Sequence, residues 1–431
     1  MAIPFRCPEA GRSGSALLAA LLLCAPWSAR GAEAVPAPAD DYRPAPAFAQ
    51  QTRAPAPASP SRYQVEVLAS GLDHPWSLAF LPDGELLVTE RPGRLRRIAR
   101  DGAVSAPIDG VPAVKAFAAE GLHDVVVDRH FASNRTLYLS YFAPLPKDDV
   151  PATLDAWVAW LRLPAGQHES HPFGVERIAR ARLSADGKRL EDLTVILEGG
   201  DRRIVQGPTG DLLIEAAPPA GGGIPVDDEP QRLENTYGKV LRVTTDGKPV
   251  RGNPFAGRAN VRPEIYAYGL RDMEGGALHP RSGLLWTCEH GPRGGDEINI
   301  IRPGRNYGFP EISYGREYAG TLINGGLTAK PGMEQPVYFW TPSIGPSGLA
   351  FYRGDLFPAW KASLFVGSLI AKKLIRLELD GERVVAEESL LADRGKRIRD
   401  VRVGPDGAVY VLTDDKDGEL LRLSPPRSTA R

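Results

Sequence analysis

Cysteine is scarce in this sequence. There are three cysteines in 431 residues, and Cys7 and Cys24 both lie within the first 34 residues. Beyond residue 34 only Cys288 remains, so an intrachain disulfide is excluded there. The fold must therefore be stabilised by a large core, which a domain of roughly 370 residues can supply.

Neither sign of charge is in excess, since 52 Lys and Arg residues face 53 Asp and Glu residues. This balance gives no basic surface for nucleic acid or for an anionic membrane. Beyond the N-terminus there is also no apolar run near the length of about 20 residues that a membrane helix needs. The composition therefore predicts no nucleic-acid partner and no membrane span, and it leaves the oligomeric state open.

The N-terminus has the pattern of a secretory signal. Arg6 and Arg12 precede an apolar run over residues 16–27, and an Ala-Glu-Ala sequence follows at residues 32–34. A basic start, a short apolar run and small residues at the cleavage site are typical of a signal peptide. We therefore predict a signal peptide over residues 1–34 and export across the inner membrane to the periplasm.

Residues 35–61 are rich in proline and alanine and contain few large apolar side chains. Such a segment cannot form a core, which predicts an extended linker. Residues 62–426 follow as one folded domain, and residues 427–431 form a short tail.

Within this domain a turn of the Pro-Asp-Gly type, followed by an apolar strand, occurs repeatedly. The clearest copies are LPDGELLVTE from Leu81, GPTGDLLIEA from Gly207, HPRSGLLWTCE from His279 and GPDGAVYVLTD from Gly404. The Asp-Gly or Thr-Gly pair suits a tight turn, and the strand after it suits the inner part of a sheet. A pair of β-sandwiches would not explain the recurrence, which favours an all-β propeller of four-stranded antiparallel blades.

Longer segments resemble the glucose/sorbosone dehydrogenase family of soluble PQQ-dependent aldose sugar dehydrogenases. They are GLDHPWSLAFLPDGELLVTERPGRLRRI from Gly71, GLRDMEGG from Gly269, EHGPRGGDEIN from Glu289, PSGLAFYRGDLFPAW from Pro346 and RIRDVRVGPDG from Arg397. The resemblance implies a six-bladed β-propeller. It also implies the oxidation of an aldose, or a related alcohol, at the anomeric carbon to a lactone, with hydride transfer to PQQ beside Ca²⁺ and electrons passed on to a soluble acceptor.

By this resemblance Arg271, Asp272, Arg397 and Arg399 are expected to bind the cofactor. PQQ carries three carboxylates, and arginine binds a carboxylate through two parallel hydrogen bonds. Arg397 and Arg399 are two residues apart and would share one face of a strand. Asp272 stands where the family has asparagine, and a carboxylate beside a polycarboxylate needs an offsetting cation.

The resemblance also implies two calcium sites. The backbone carbonyls of Gly291 and Pro292 match the ligands of the catalytic ion, while Asp296, Glu297 and Tyr307 resemble a second, structural site. Calcium prefers oxygen ligands, including the carbonyls of glycine and proline turns.

The family's catalytic base, a histidine in a His-x-x-Gly-Arg-Leu context, is missing. The corresponding stretch is EGGDRRI, and the histidine aligns with Gly199. Asp201 is a weak substitute, and Glu215, His123 and His130 are more remote ones. Two further contacts change as well: the family's glutamine aligns with Ala119 and its lysine with Ile370.

Two functions therefore remain open at this point. One is a PQQ-dependent dehydrogenase, which needs a titratable group within reach of the substrate hydroxyl. The other is a catalytically degenerate propeller that binds a sugar, a carboxylate ligand or a protein partner. The retained arginines favour the first, and the missing histidine favours the second.

Overall fold

The computed structural model describes residues 42–116, 119–145, 174–200, 202–217 and 229–427. The predicted signal peptide lies outside these ranges, as does the tail from residue 428. Within them the chain is almost entirely β, with one short helix, α1 (Phe131–Asn134), and 3₁₀ turns at Glu229–Gln231, Ile323–Gly326, Pro358–Trp360 and Ala392–Arg394. No helix in these ranges is long and apolar enough to cross a membrane.

The strands form six antiparallel sheets arranged as the blades of a propeller, five of them built from consecutive strands and the sixth from the first strand and the last three. Blade VI holds β1 (Gln64–Leu72), and blade I holds β2 (Pro75–Phe80), β3 (Leu86–Glu90) and β4 (Arg94–Ile98). Blade II holds β5 (Leu122–Val127), β6 (Thr136–Ala143), β7 (Val175–Leu183) and β8 (Leu190–Glu198), and blade III holds β9 (Ile204–Gln206), β10 (Leu212–Ala216), β11 (Lys239–Val243) and β12 (Ile265–Tyr268). Blade IV holds β13 (Asp272–Leu278), β14 (Leu285–His290), β15 (Asp296–Ile301) and β16 (Tyr338–Trp340). Blade V holds β17 (Pro346–Phe351), β18 (Ser363–Ser368), β19 (Lys373–Asp380) and β20 (Arg383–Leu390), and blade VI is completed by β21 (Ile398–Val403), β22 (Val409–Thr413) and β23 (Gly418–Ser424).

The ring is closed by the first strand of the domain. β1 pairs antiparallel with β23, with Gln64 opposite Ser424 and Val67 opposite Leu421, so blade VI contains both ends of the domain. The six-bladed propeller predicted from the sequence is confirmed. Blade I has three strands, with a single bridge between Ile98 and Val104 where a fourth strand would pair.

The recurrent turns lie where the sequence predicted them. In the first copy the backbone of Gly84 has φ +82° and its N–H donates to the carbonyl of Leu81 at 2.9 Å, and every residue of β3 that follows is buried. Gly407 has φ +78° and donates in the same way to Gly404. Glycine is suited to these positions because a positive φ costs it little.

The cores lie between neighbouring blades. Trp286, Cys288 and Ile298 of blade IV, for example, pack with Leu364 and Val366 of blade V. Cys288 is completely buried, as the sequence indicated, and its thiol donates to the carbonyl of Ser347 at 2.9 Å. Burial raises the pKa of this thiol well above its ordinary value, so it is not a reactive thiolate.

The innermost strands β2, β5, β9, β13, β17 and β21 surround the axis, and all six run in the same direction along it. Their last residues surround a cavity of about 820 Å³, which we call the far-end cavity. It is lined by Ala79, Val126, Val205, Ala350 and Arg402, among others. The opposite end, where the inner strands begin, is called the site end below.

Residues 42–61, the described part of the predicted linker, contain no helix or strand but contact blades IV and V. The carbonyl of Gln51 accepts from Phe339 N–H, and the carbonyl of Pro55 accepts from Glu387 N–H, each at 2.9 Å. Gln51 is fully buried. This segment therefore covers the outer edges of β16 and β20, which would otherwise have unpaired backbone groups.

Candidate functional site

Charged side chains gather at the site end because each inner strand begins there. His74 precedes β2, Glu120 lies just before β5, Arg202 precedes β9, Arg271 precedes β13, and Arg397 precedes β21. Residues far apart in the sequence thus reach one small region on the axis. Five of the six blades contribute these groups, which is typical of a binding site at a propeller mouth.

Asp414 holds together the arginines from the last inner strand. Its Oδ2 accepts from Arg397 at 3.1 Å and from Arg399 at 2.8 Å, and its Oδ1 lies 3.2 Å from Nδ1 of His74. Burial alone would raise the pKa of Asp414, but the two guanidinium groups lower it below its ordinary value. The carboxylate therefore stays ionised and orients both arginines.

Arg399 also reaches across the axis to blade IV. Its Nη1 donates to Oε2 of Glu274 at 3.1 Å, and the side chain is buried. Arg397 is more accessible, with 40% of its side chain exposed. The two arginines share Asp414 as a partner, and only Arg397 reaches the surface of the site.

On the other side of the axis, Arg202 lies between two carboxylates. Its Nη2 is 3.3 Å from Oε1 of Glu120 and 4.0 Å from Oδ1 of Asp272. Asp272 is also 3.5 Å from Nδ1 of His290, whose Nε2 lies 2.7 Å from the carbonyl of Pro346. The cation that Asp272 was expected to need is thus supplied by the protein itself.

These contacts define the charge states of Asp272 and His290. Burial would raise the pKa of Asp272, yet the hydrogen bond with His290 and the charge of Arg202 lower it. Burial would lower the pKa of His290, but Asp272 raises it to about 9. At neutral pH the pair is therefore a carboxylate beside an imidazolium, and His290 cannot act as a base.

Asp272, Glu274 and His290 are the one group of three metal-ligand residue types that converges within the described ranges, with ligand atoms within 4.8 Å of one another. Their charges are already balanced, since Glu274 binds Arg399 while Asp272 binds His290 and lies near Arg202. We interpret the group as an ion-pair network.

Arg271 lies at the rim of the site end. Its Nη1 donates to the carbonyl of His290 at 2.7 Å, and its Nη2 lies 3.4 Å from the hydroxyl of Tyr318. The ring of Tyr318 is 63% exposed, and Ile370, the residue aligned with the family's lysine, is 62% exposed on the loop after β18. The mouth therefore has large apolar side chains next to its arginines.

Deeper on the axis, Arg203 joins the inner strands. Its Nε donates to the carbonyl of Glu274 at 3.0 Å, and its Nη2 is 3.1 Å from Oδ1 of Asp400. The guanidinium also contacts Asp124 at 3.4 Å and lies 4.1 Å from the ring centroid of Trp76. This buried cation is the floor of the site and separates it from the far-end cavity.

The two residues expected to bind the catalytic calcium follow β14 at the same end. Gly291 donates its N–H to Oδ1 of Asp296 at 2.9 Å. Asp296 also accepts from the hydroxyl of Ser343 and from the N–H groups of Ile344 and Gly345, at 2.7 to 3.0 Å. The carboxylate of Asp296 therefore shapes the Gly291–Pro292 turn, and four donors already engage its oxygens.

The structure does not bring the side chains of the expected second calcium site together. Neighbouring residues on a strand point to opposite faces, and Glu297 accepts from Asn299 on the face away from Asp296. The hydroxyl of Tyr307 donates to the carbonyl of Ile300. Ile300 lies three residues beyond Glu297 in β15, which is about 10 Å along the strand. A second calcium site at these residues stays a prediction.

At the position of the missing histidine the chain turns sharply. Gly199 has φ +86°, and a Cβ there would lie 2.7 Å from Oγ1 of Thr236. Asp201 is outside the described residues. Glu215 is fully buried between blades III and IV, where burial raises its pKa well above the ordinary value.

The two remaining substitutes lie in different places. His123 is buried at the site end, with its ring 5.1 Å from that of Trp76. His130 follows β5 at the opposite end of the propeller and is exposed. The structure thus leaves His130 remote from the site.

Sequence reasoning missed several residues of this end: Glu120, Glu176, Arg202, Glu274 and Asp414. A signal existed for one of them. In the quoted His-x-x-Gly-Arg-Leu pattern, Arg202 stands where the family has glycine, so it introduces a positive charge just as Asp272 introduces a negative one. The proximity of these two departures could not be read from one sequence.

These features define a six-bladed propeller with a charged site at the start of its inner strands. The chain matches the family described as glucose/sorbosone dehydrogenase over residues 72–422, and it belongs to that family. It is 40% identical over 386 residues to the aldose sugar dehydrogenase YliI of Escherichia coli, covering 85% of this chain and 94% of that protein. The family and this relative make the chain a sugar oxidoreductase by class.

Solved structures agree. The soluble aldose sugar dehydrogenase of Escherichia coli in its apo form superposes with a TM-score of 0.74 at 38% identity, covering 84% of this chain and 99% of that one. The PQQ-bound form of an aldose sugar dehydrogenase from Streptomyces coelicolor superposes with a TM-score of 0.64 at 25% identity, covering 85% of this chain and 100% of that one.

Proposed function

We propose that this chain oxidises an aldose, or a related alcohol, at the anomeric carbon to a lactone, using PQQ held at the site end together with Ca²⁺. The observation that carries the proposal is the meeting of Arg202, Arg271, Arg397 and Arg399 at one end of the axis in a chain of this family. A PQQ-bound relative of the same fold supports the choice of cofactor.

The charges at the site end suit a polycarboxylate. The cations are Arg91, Arg202, Arg271, Arg397, Arg399 and the imidazolium of His290, and the facing carboxyl groups are Glu120, Glu176, Asp272, Glu274 and Asp414. Burial raises the pKa of Glu120, which reduces its negative charge. The excess of cations favours an anionic ligand, because guanidinium groups bind carboxylates strongly when water is excluded.

Within this proposal the exposed Arg397 and the rim residue Arg271 would bind carboxylates of PQQ. The carbonyls of Gly291 and Pro292 would face Ca²⁺. When bound, PQQ supplies the o-quinone that takes up the hydride of the sugar. Asp414 and Asp272 hold the neighbouring cations in place, while Tyr318 and Ile370 provide apolar surface at the mouth that limits the access of water.

The same proposal includes a soluble electron acceptor and export to the periplasm after cleavage of residues 1–34. Both are expectations from the sequence and the family.

The test is reconstitution of the purified mature chain with PQQ and calcium chloride, followed by D-glucose and then other aldoses. We expect stoichiometric uptake of the quinone, seen in its absorbance, and bleaching of that absorbance by at least one aldose. Substitution of Arg397 by Gln should weaken uptake, since it removes an accessible carboxylate partner. Uptake without bleaching would support the binding propeller instead, and the absence of uptake would contradict the cofactor assignment.

A further inference from the structure

Glu176 lies directly beside the position from which the family's histidine is missing. The N–H of Gly199 donates to the carbonyl of Glu176 at 3.0 Å, at the point where β7 begins and β8 ends. The side chain of Glu176 is only 4% exposed, and its Oε1 accepts no hydrogen bond from any described residue. A buried carboxyl oxygen without a donor is costly, so it calls for an explanation.

The charges of Glu120, which lies just before the first strand of blade II, and of Arg202 both act on Glu176. Glu120 is 1% exposed, its Oε1 accepts from Arg202, and its Oε2 lies 3.6 Å from Nε2 of His123 without a hydrogen bond from the described residues. Each of the two carboxyl groups thus has one oxygen free of donors. Two buried carboxyl groups whose charges interact cannot both ionise easily, so one of them tends to keep its proton.

We propose that Glu176, paired with Glu120, accepts the proton of the substrate hydroxyl in place of the histidine absent at Gly199. This inference rests on the proposed function, since it assigns a residue to that reaction. Glu176 is the catalytic group, whereas Glu120 and Arg202 are positioning residues that set its proton affinity. Asp272 and His290 are poorer candidates because they neutralise each other.

The O–H bond at the anomeric carbon breaks, and its proton moves to a carboxylate oxygen of Glu176. The C–H bond at the same carbon would break with its electron pair, and PQQ, when bound, would be the acceptor of this hydride. The C–O bond becomes the carbonyl of the lactone, and two electrons have left the sugar.

The surroundings of the pair make this proton affinity suitable for a base at neutral pH. Burial, together with the charge of Glu120, raises the pKa of Glu176 to about 7. Burial also raises the pKa of Glu120, with Asp272 and Glu274 acting in the same direction and Arg202 opposing them. His123 is the remaining titratable group in contact with the pair. A base is most effective when its pKa lies near the working pH.

The central variant is Glu176→Gln, which keeps the shape of the side chain and removes its ability to take up a proton. We expect kcat to fall about 10²- to 10⁴-fold, as for other lost general bases, with little change in KM or in PQQ uptake. Glu264→Gln is the matched control, because Glu264 is similarly buried (5% exposed) but lies at the outer strand of blade III. It should retain full turnover.

A second measurement does not depend on catalysis. Infrared difference spectra of the chain without PQQ, recorded as the pH is raised from 5 to 9, should show the loss of a buried protonated carboxyl signal near neutral pH. The signal should be smaller in Glu176→Gln, where the contribution of Glu289 remains, and unchanged in Glu264→Gln. This readout stands even if no sugar is oxidised, so it separates a failure of the pair from a failure of the proposed function.

Glu120→Gln provides a third test, which is needed if Glu176→Gln does not fold. Removing the neighbouring negative charge should lower the pKa of Glu176, so the acid limb of the kcat profile should shift to lower pH while turnover persists. Turnover by Glu176→Gln equal to that of the parent chain would overturn the proposal. So would an acid limb that does not move in Glu120→Gln, or an infrared titration that Glu176→Gln leaves unchanged.

Discussion

Gly199 shows why the missing histidine is more than a single replacement. Its φ of +86° is a conformation that other residues adopt only with strain, and Thr236 occupies the space a side chain would need. A side chain at this position is therefore disfavoured both by the backbone conformation and by the neighbouring Thr236. A new base has to come from a neighbouring element, as Glu176 would, since the old position is closed.

This closure predicts that Gly199→His does not restore a base. We expect no gain in turnover and a loss of stability of about 1–3 kcal/mol from the positive φ, increased by the contact with Thr236. Gly381→His is the matched control, because Gly381 has φ +66° but open space around it. Urea unfolding should show a larger loss for Gly199→His, and equal losses would contradict the crowding.

Glu289 predicts a pH dependence of stability. Burial raises its pKa from 4.5 to about 7, although Arg271 and Asn299 oppose this. The folded chain therefore keeps a proton that the unfolded chain releases, so the stabilising contribution is full below pH 4.5 and is lost as the pH rises through 7. The loss is at most about 3 kcal/mol, since one pKa unit corresponds to about 1.4 kcal/mol.

We expect the stability advantage of the parent chain over Glu289→Gln to shrink between pH 5 and pH 8. Chemical denaturation at several pH values measures it. A constant difference across this range would show that Glu289 does not titrate there.

At this scale the sequence predicted part of the site. Arg271, Arg397 and Arg399 were identified because they lie inside long family signatures, and the structure brings all three to the site end. Arg202 and Glu120 were not identified, because the contact between them depends on two loops that precede different blades. Contacts between such loops leave no periodic or spacing signal in a single sequence.

At the scale of the elements, Arg203 ties the inner strands to one another. It precedes β9 and contacts residues of β2, β5, β13 and β21, namely Trp76, Asp124, Glu274 and Asp400. It is 1% exposed, so its charge is balanced almost wholly by these partners. Because removing one partner leaves the other charges buried and uncompensated, such a contact is hard to replace.

We therefore expect Arg203→Met to destabilise the fold by about 3–5 kcal/mol, the usual range for breaking a buried ion pair. Arg402→Met is the control: Arg402 also contacts Asp400, at 3.1 Å, but its side chain is 24% exposed. Its loss should be clearly smaller in the same urea experiment. Equal losses of stability in the two variants would contradict the prediction that burial makes the contacts of Arg203 more important than those of Arg402.

The elements themselves were predictable to differing degrees. The turns at Gly84 and Gly407 were read correctly, because Asp-Gly before an apolar strand has a local cause. The packing of residues 42–61 on β16 and β20 was not foreseen, since a proline-rich segment gives no sign of which edge it covers. Gln51 makes that contact through its backbone carbonyl and its side-chain amide. Neither group distinguishes one sheet edge from another in the sequence.

At the scale of the whole molecule, the propeller depends on both ends of the domain. β1 is the outer strand of blade VI, whose other strands come from the C-terminus. Without β1, the edge of β23 would be unpaired, and Ala69 and Leu72 would be missing from the core with Leu412 and Leu420.

A chain that begins at residue 73 should therefore fail to fold cooperatively, whereas one that begins at Tyr42 should unfold like the mature protein. Thermal unfolding followed by circular dichroism and by size-exclusion chromatography tests this. A stable monomer without β1 would show that the closure is dispensable.

Because β1 pairs with β23, the two ends of the domain lie next to each other in one sheet. Gln64 and Ser424 are direct neighbours in one sheet, so a short peptide could join the two ends, and new ends could be opened at the exposed turn around Gly381 between β19 and β20. Such a permuted gene would encode the same propeller from a different starting blade, with blade VI made as one continuous stretch of chain.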